Sequence, residues 1–534
     1  MMRYPKGLLA PLALISILAM ASAAPVPAAP AHPSPTAMTQ SGMVAGEASP
    51  GGERFLGIPY AAAPVGPLRW RAPQPPSSWK GLRPATAFGH DCMQEPYPSD
   101  AAPLGTAPAE DCLTINVWRP KGARAGARLP VMVWIYGGGS VNGGASPDVY
   151  SGDAFARDGV VFVSYNYRVG RFGFFGFPAL ARGDADKGLL YNYGYMDSVA
   201  ALQWVRRNVA AFGGDPAKVT IYGQSAGAGQ VAMLLGSPLA RGLFRGAIIQ
   251  SGGNANNAPT PAAEADKAGL AFAARWGIAG EGSETLARLR ALSAAQVTDG
   301  IHIGTAAAQR PTFAGAVGDG KLLTGGLVEV VKAAREARVP LIIGSTTADN
   351  FAAMTAPTLD EAFATTFAPV GPAARAAYLV APAADPGRVL REMGRDLSYN
   401  ENARNIARLM TAQGLPVWRY RFGYVANAMR GEWTEGPPHA TDIPFAMDMV
   451  TAKYGAATTA EDRSVAARLH AYWVNFVKTL DPNGKTASGE QLAPWPREDP
   501  AADRLMRFNP DGSNAGSDDP YHARIEAIAR LRGH

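Results

Sequence analysis

Near-continuous apolar runs alternating with helical periodicity constrain this chain more than any other feature. Leu129 to Tyr136 (LPVMVWIY) and Val160 to Tyr167 (VVFVSYNY) are rich in β-branched and aromatic residues and are flanked by turn residues. Runs without polar alternation predict central strands covered on both faces. Asp197 to Phe212 (DSVAALQWVRRNVAAF) instead repeats apolar residues at helical spacing, and FGGDP stops it. Val219 to Tyr222 predicts the next strand, a helix after it, and Gly246 to Gln250 another buried strand. Alternation of this kind predicts an α/β fold with a mostly parallel central sheet. Ala262 to Arg338 is alanine-rich and predicts helices, Val339 to Gly344 a further buried strand, and Val465 to Leu480 an amphipathic helix ended by DPNG. No repeat or second linker interrupts the text. A chain of 534 residues, 47% hydrophobic and 18% charged, therefore predicts one elaborated domain over residues 41–534, with large helical insertions covering part of the sheet.

Residues 1–23 read as a secretory signal peptide: Arg3 and Lys6, an apolar run from Gly7 to Met20, then Ala21-Ser22-Ala23, with cleavage expected after Ala23. The run is too short for a comfortable membrane span, so an uncleaved anchor is the competing reading and no integral span is expected in the mature chain. Residues 24–40 are Pro/Ala-rich and predict a flexible leader. Export implies a periplasmic or extracellular protein. The formal charge of +6 falls to +4 when Arg3 and Lys6 leave, and the remaining cations are scattered, so no nucleic-acid-binding stripe is expected. Cys92 and Cys112 lie in the exported part, where a disulfide persists; closing that loop would contribute about 3 kcal/mol. Two free thiols are the alternative, and a metal site would lack the histidines to complete its ligand set.

The stretch KVTIYGQSAGAGQV sets Gly223-Gln224-Ser225-Ala226-Gly227 between a strand and a helix. Such a pentapeptide is a sharp, strained turn in which side chains at the glycines would collide with the adjoining strand and helix. The Ser225 hydroxyl then stands clear at the end of the sheet, with the helix N-terminus behind it. Gly137-Gly138-Gly139 follows the strand at Leu129, where bare amides can point at a carbonyl oxygen in its tetrahedral form.

These pieces, together with FLGIPYAAAPVGPLRWRAPQPP, EDCLTINVW, YNYRVGRFGFF, GAIIQSGG and YWVNFVKTLDPNG, resemble the type-B carboxylesterase and cholinesterase family of α/β-hydrolases from about Gly46 to Phe508. The resemblance implies an α/β-hydrolase fold, a Cys92 to Cys112 disulfide, Ser225 as nucleophile, and an oxyanion hole from the N–H groups of Gly138, Gly139 and Ala226. His439, in the Pro-rich EGPPHATDIPF, aligns with the family's histidine loop. His470 falls inside the amphipathic helix and reads as a packing or surface residue, whereas His522 and His534 lie in the tail. The family's acidic position falls on Asp349 in STTADNF, with Asp in place of the more frequent Glu and Asn350 in place of a glycine. Ser251 matches a family serine that hydrogen-bonds that acid. The implied reaction is hydrolysis of a small-molecule ester with no metal or organic cofactor.

Departures from the family narrow the substrate. Cholinesterases carry a glutamate before the nucleophile and a tryptophan in the first disulfide loop; here Gln224 stands at the first position and the loop has no tryptophan, which predicts weak turnover of choline esters. Neutral or acidic esters are expected instead. Tyr136 replaces a frequent histidine, and Ser140 replaces an aromatic residue, which predicts a more open acyl side. Arg171 interrupts YRVGRFGFF and reads either as a solvated or ion-paired arginine or as a cation facing an acidic substrate. Amidase, peptidase, thioesterase and lipase activities use the same constellation, and a lipase would need an apolar lid for which no clear segment stands out. Adhesion proteins of the family lack the serine, whereas Ser225, Asp349 and His439 are all present here.

Overall fold

The computed structural model describes residues 34–97, 103–183, 185–252, 258–349, 354–379 and 385–533. The predicted signal peptide and its cleavage site lie outside the described residues. Eleven strands form the central sheet: β1 (Glu47–Ser49), β2 (Gly52–Pro59), β3 (Thr114–Arg119), β4 (Leu129–Ile135), β5 (Val161–Tyr165), β6 (Gly214–Gln224), β7 (Gly246–Gln250), β8 (Leu341–Thr346), β9 (Val417–Phe422), β10 (Arg504–Phe508) and β11 (Asn514–Asp518). Their spatial order is β11-β10-β9-β8-β7-β6-β4-β5-β3-β2-β1. Neighbours from β5 to β10 run parallel. Antiparallel pairs close both edges.

Every residue of β5, β7, β8 and β9 is buried, as expected of doubly covered strands. Helices Tyr193–Asn208, Ala226–Gly236, Glu401–Ala412 and Ala460–Thr479 pack on the sheet. The fold is the α/β-hydrolase arrangement, and its strand order reverses where β4 lies between β5 and β6. In such sheets ligands bind outside the carboxyl ends of the strands at a reversal of this kind. Here those ends carry the Gly137 loop after β4, Ser225 after β6, Ser251 after β7 and Asp349 after β8.

Several boundaries differ from expectation. Strand pairing reaches into the predicted leader: Thr36–Thr39 pairs antiparallel with Gly42–Ala45, and the latter pairs parallel with Leu82–Pro84, within a compact unit that spans Pro35–His534. β6 starts at Gly214, five residues before the predicted strand, since Gly213 at φ 88° caps the preceding helical turn and leaves FGGDP free to extend. The segment from Asp299 to Gly326 is largely irregular rather than helical. Gly300, Gly315 and Gly320 hold φ between 66° and 72° there, a region that interrupts a helix. Cys92 and Cys112 form a disulfide with an S–S distance of 2.03 Å. Among the described residues, no helix is long and apolar enough to cross a membrane.

Candidate active site

The turn after β6 has the geometry its glycines demand. Ser225 sits at φ 57°, ψ −122°, a strained conformation for a residue with a side chain, and its N–H donates to Gln250 O at 2.9 Å. A Cβ on Gly223 would lie 2.3 Å from Gly227 O, and one on Gly227 only 2.1 Å from Ile135 O. The helix Ala226–Gly236 is thus pressed against β4 and β6 by two missing side chains, and every one of its residues is buried. Its first amides have no partner within the helix, and the positive end of the helix dipole lies at Ser225.

The Gly137 loop runs beside this turn. A Cβ on Gly137 would stand 2.8 Å from Gln224 O and 2.9 Å from Ser225 Cβ. Gly138 and Gly139 hold φ 111° and 63°, and Gly138 O accepts from the Asn142 N–H at 2.9 Å. The disulfide loop braces it: Gln94 Oε1 accepts from the Gly143 N–H at 2.8 Å and from Asn142 Nδ2 at 3.1 Å. Gly138, Gly139 and Ala226 therefore occupy the two backbone segments that flank Ser225.

Asp349 and His439 meet at the carboxyl end of β8. Asp349 is fully buried, and its Oδ1 lies 2.5 Å from His439 Nδ1. Its Oδ2 accepts from Ser251 Oγ at 2.6 Å and from the Thr346 N–H at 3.3 Å. Ser251 itself holds φ 54° and donates its N–H to Gly344 O. With Nδ1–H given to the carboxylate, the other ring nitrogen carries the lone pair. That nitrogen, Nε2, lies 3.2 Å from Gln224 Nε2, so the residue before Ser225 holds the imidazole at the turn. Tyr399, presented by the π-helical turn Asp396–Asn400, lies against the ring with centroids 5.5 Å apart.

Other sequence candidates fall elsewhere. His470 is buried, donates from Nδ1 to Ala446 O at 2.9 Å, and sets Nε2 3.2 Å from Asp158, which makes it a packing residue. His522 pairs with Asp503. Tyr136 is buried and stacks on Tyr167 at 4.4 Å. Arg171 is not solvated as one reading expected but fully buried, and it faces no substrate space: it bonds Thr298 O, Thr312 O and Oγ1, and Gln309 Oε1, lies 3.8 Å from Asp299, and covers the Phe272 ring. Asp442 escaped the sequence reading. It lies three residues after His439, is buried beside Asp349, and accepts from Tyr420 OH at 3.2 Å. Burial first, and then the charge of Asp349, push its carboxyl up to about 6. A carboxylate three positions past the histidine in the apolar ATDIPF was the available signal.

A sequence model of the Carboxylesterase family matches residues 33–524. The chain is 36% identical over 519 residues to fumonisin B1 esterase of Sphingopyxis macrogoltabida, covering 93% of this chain and 90% of that one. It is 32% identical over 497 residues to para-nitrobenzyl esterase of Bacillus subtilis (strain 168), covering 86% and 91%. Cocaine esterase of Homo sapiens is 42% identical over 240 residues, 41% and 40% of the two chains. Strand order, the glycine-flanked serine turn and a match along almost the whole described chain converge on one conclusion: this protein belongs to the carboxylesterase family.

Proposed function

We propose that the chain is an exported serine hydrolase of carboxylic esters that works through Ser225, His439 and Asp349. The observation that carries this reading is the imidazole of His439, bonded to buried Asp349 on one side and held at the Ser225 turn on the other. Ser225 Oγ attacks the ester carbonyl carbon as its proton passes to His439 Nε2. Amides of Gly138, Gly139 and Ala226 receive the oxyanion. Collapse of the tetrahedral species expels the alcohol, which takes the proton from His439. Water then attacks the acyl-serine by the same route and releases the acid. The relatives named as esterases support ester rather than amide chemistry.

Intact-mass spectrometry of protein recovered from outside the cytoplasm tests both parts. The mature chain is expected to begin at Ala24, and a fluorophosphonate is expected to add one adduct per chain as Ser225 Oγ displaces fluoride. Ser225→Ala should stay unlabelled. An unprocessed Met1 chain would overturn export, and equal labelling of Ser225→Ala would overturn the nucleophile.

The site also supports a preference for uncharged or anionic esters over choline esters. The neutral Gln224 amide stands where a carboxylate would attract a quaternary ammonium. Butyrylthiocholine is therefore expected to show kcat/KM about tenfold or more below a neutral butyrate thioester, the cost of a missing charge or cation–π partner. Gln224→Glu should narrow that gap. Equal turnover of the two thioesters by the wild-type protein would contradict the preference.

A further inference from the structure

Beside the Ser225 turn lies a cavity of about 310 Å³, and Gly139, Ser140 and Met233 form its inner wall. Gly139 and Ser140 belong to the glycine loop, and Met233 to the helix that follows Ser225, so the cavity borders the loop that carries the proposed oxyanion amides. Its outer wall is apolar or small at Ala307 and Phe313, and among the described residues the ionisable side chains that line the cavity are Arg310 and the buried phenol of Tyr195. Among the described residues no carboxylate lines the cavity. Arg310 is exposed, and among the described residues it has no ion pair.

The segment that carries Arg310 is fastened to its surroundings by hydrogen bonds on either side of it. Buried Arg171 bonds residues on both sides of Arg310 in the chain, Thr298 O at 2.8 Å, Gln309 Oε1 at 3.0 Å and Thr312 Oγ1 at 2.7 Å. Asn142 Oδ1 accepts from the Ile303 N–H at 2.9 Å, which fastens the same segment to the glycine loop. Arg310 sits between these anchors, in the short helical turn Arg310–Thr312. A guanidinium stays charged at any working pH and matches a carboxylate with two parallel donors. An unpaired one held over an otherwise uncharged cavity lowers the free energy of an anionic guest and does nothing for a neutral one.

Resting on the hydrolase reading above, we infer that Arg310 is a substrate-binding residue and that the preferred substrates are esters carrying a second, free carboxylate. Arg171 is the positioning residue beneath it. Two ester pairs locate that carboxylate: the mono-4-nitrophenyl ester of adipic acid against 4-nitrophenyl hexanoate for the acyl side, and 4-carboxyphenyl against 4-acetylphenyl butyrate for the alcohol side. In at least one pair, Arg310→Gln is expected to lower kcat/KM for the acid member about tenfold or more, through KM, and to leave its neutral partner within about twofold. Arg310→Lys should keep part of the preference. Added NaCl should erode the wild-type advantage, since an exposed pair is screened. An acid-to-neutral ratio unchanged by Arg310→Gln in both pairs overturns the inference. If wild-type protein hydrolyses neither member of a pair, the catalytic reading has failed instead; equilibrium binding of adipate then decides the carboxylate site, and equal affinity for wild type and Arg310→Gln overturns it.

Discussion

Replacing Asp349 by asparagine is expected to lower kcat about 10⁴-fold with the fold intact, and the hydrogen bonds around the carboxylate say why. Oδ2 receives two donors, Ser251 Oγ–H and the Thr346 N–H. In the asparagine variant the amide oxygen must take that position, because an NH₂ group there would face two donors. The NH₂ group is then turned toward His439 Nδ1 and can only donate to it. His439 must therefore carry its proton on Nε2, the nitrogen that has to accept one from Ser225. Ser225→Ala, which removes the nucleophile itself, is expected to cost about 10⁶ in kcat, and the double variant no more than that, since the groups act as a unit. The hydrogen-bond pattern makes a sharper forecast as well. Removing the Ser251 donor from the asparagine variant leaves only the longer Thr346 N–H contact to oppose a turned amide, so Asp349→Asn with Ser251→Ala should be more active than Asp349→Asn alone. Steady-state kcat with a neutral ester checks the series. An Asp349→Asn enzyme within tenfold of wild type would remove Asp349 from the mechanism.

The parts of this arrangement that were legible in the sequence are those where one residue's size or apolarity dictates its neighbours. Continuous apolar runs located β4, β5, β7 and β8 because a doubly covered strand has no polar face to interrupt it. Gly223 and Gly227 announced the turn because backbone from the adjoining elements fills the space where their Cβ atoms would be. Helix Ala460–Thr479 begins five residues before the apolar pattern does. Its start is set by Thr459 and Asp462, which cap it reciprocally and carry no hydrophobic signal. The antiparallel strands β1 to β3 on one side of the sheet gave no long continuous apolar run to read. Arginine was the residue type whose role the text concealed most. Arg171 interrupts an apolar motif and is fully buried in a shell of carbonyl groups. Arg310, in an unremarkable QRPT, lines a cavity. Both roles depend on contacts across more than a hundred residues or on the shape of a distant wall, and neither leaves a local pattern. The same holds for Asp442, whose raised carboxyl comes from burial against Asp349 rather than from its neighbours in the chain.

Gly227→Ala should cost both stability and rate, although it adds one methyl group two residues from the nucleophile. The new Cβ would lie 2.1 Å from Ile135 O and 2.5 Å from Tyr136 O, both of them backbone at the end of β4. No rotamer relieves a clash of that kind, so the helix must lift off the strand. A lift of this kind carries Ala226 away from Gly138 and Gly139, because the first belongs to the helix and the others follow β4. Losing one donor of an oxyanion hole costs about 10² to 10³ in kcat, and overpacking a close-packed junction costs about 1–3 kcal/mol of stability. Gly371→Ala supplies the control, since nothing lies within 4 Å of its added methyl and its φ is negative. Thermal unfolding and kcat measured on both variants separate the outcomes. A lowered Tm with wild-type kcat would show that the helix moves without disturbing the amides, and would detach Ala226 from the oxyanion hole. Wild-type values for both would mean that the packing of helix on strand at Gly227 is not what fixes the geometry around Ser225.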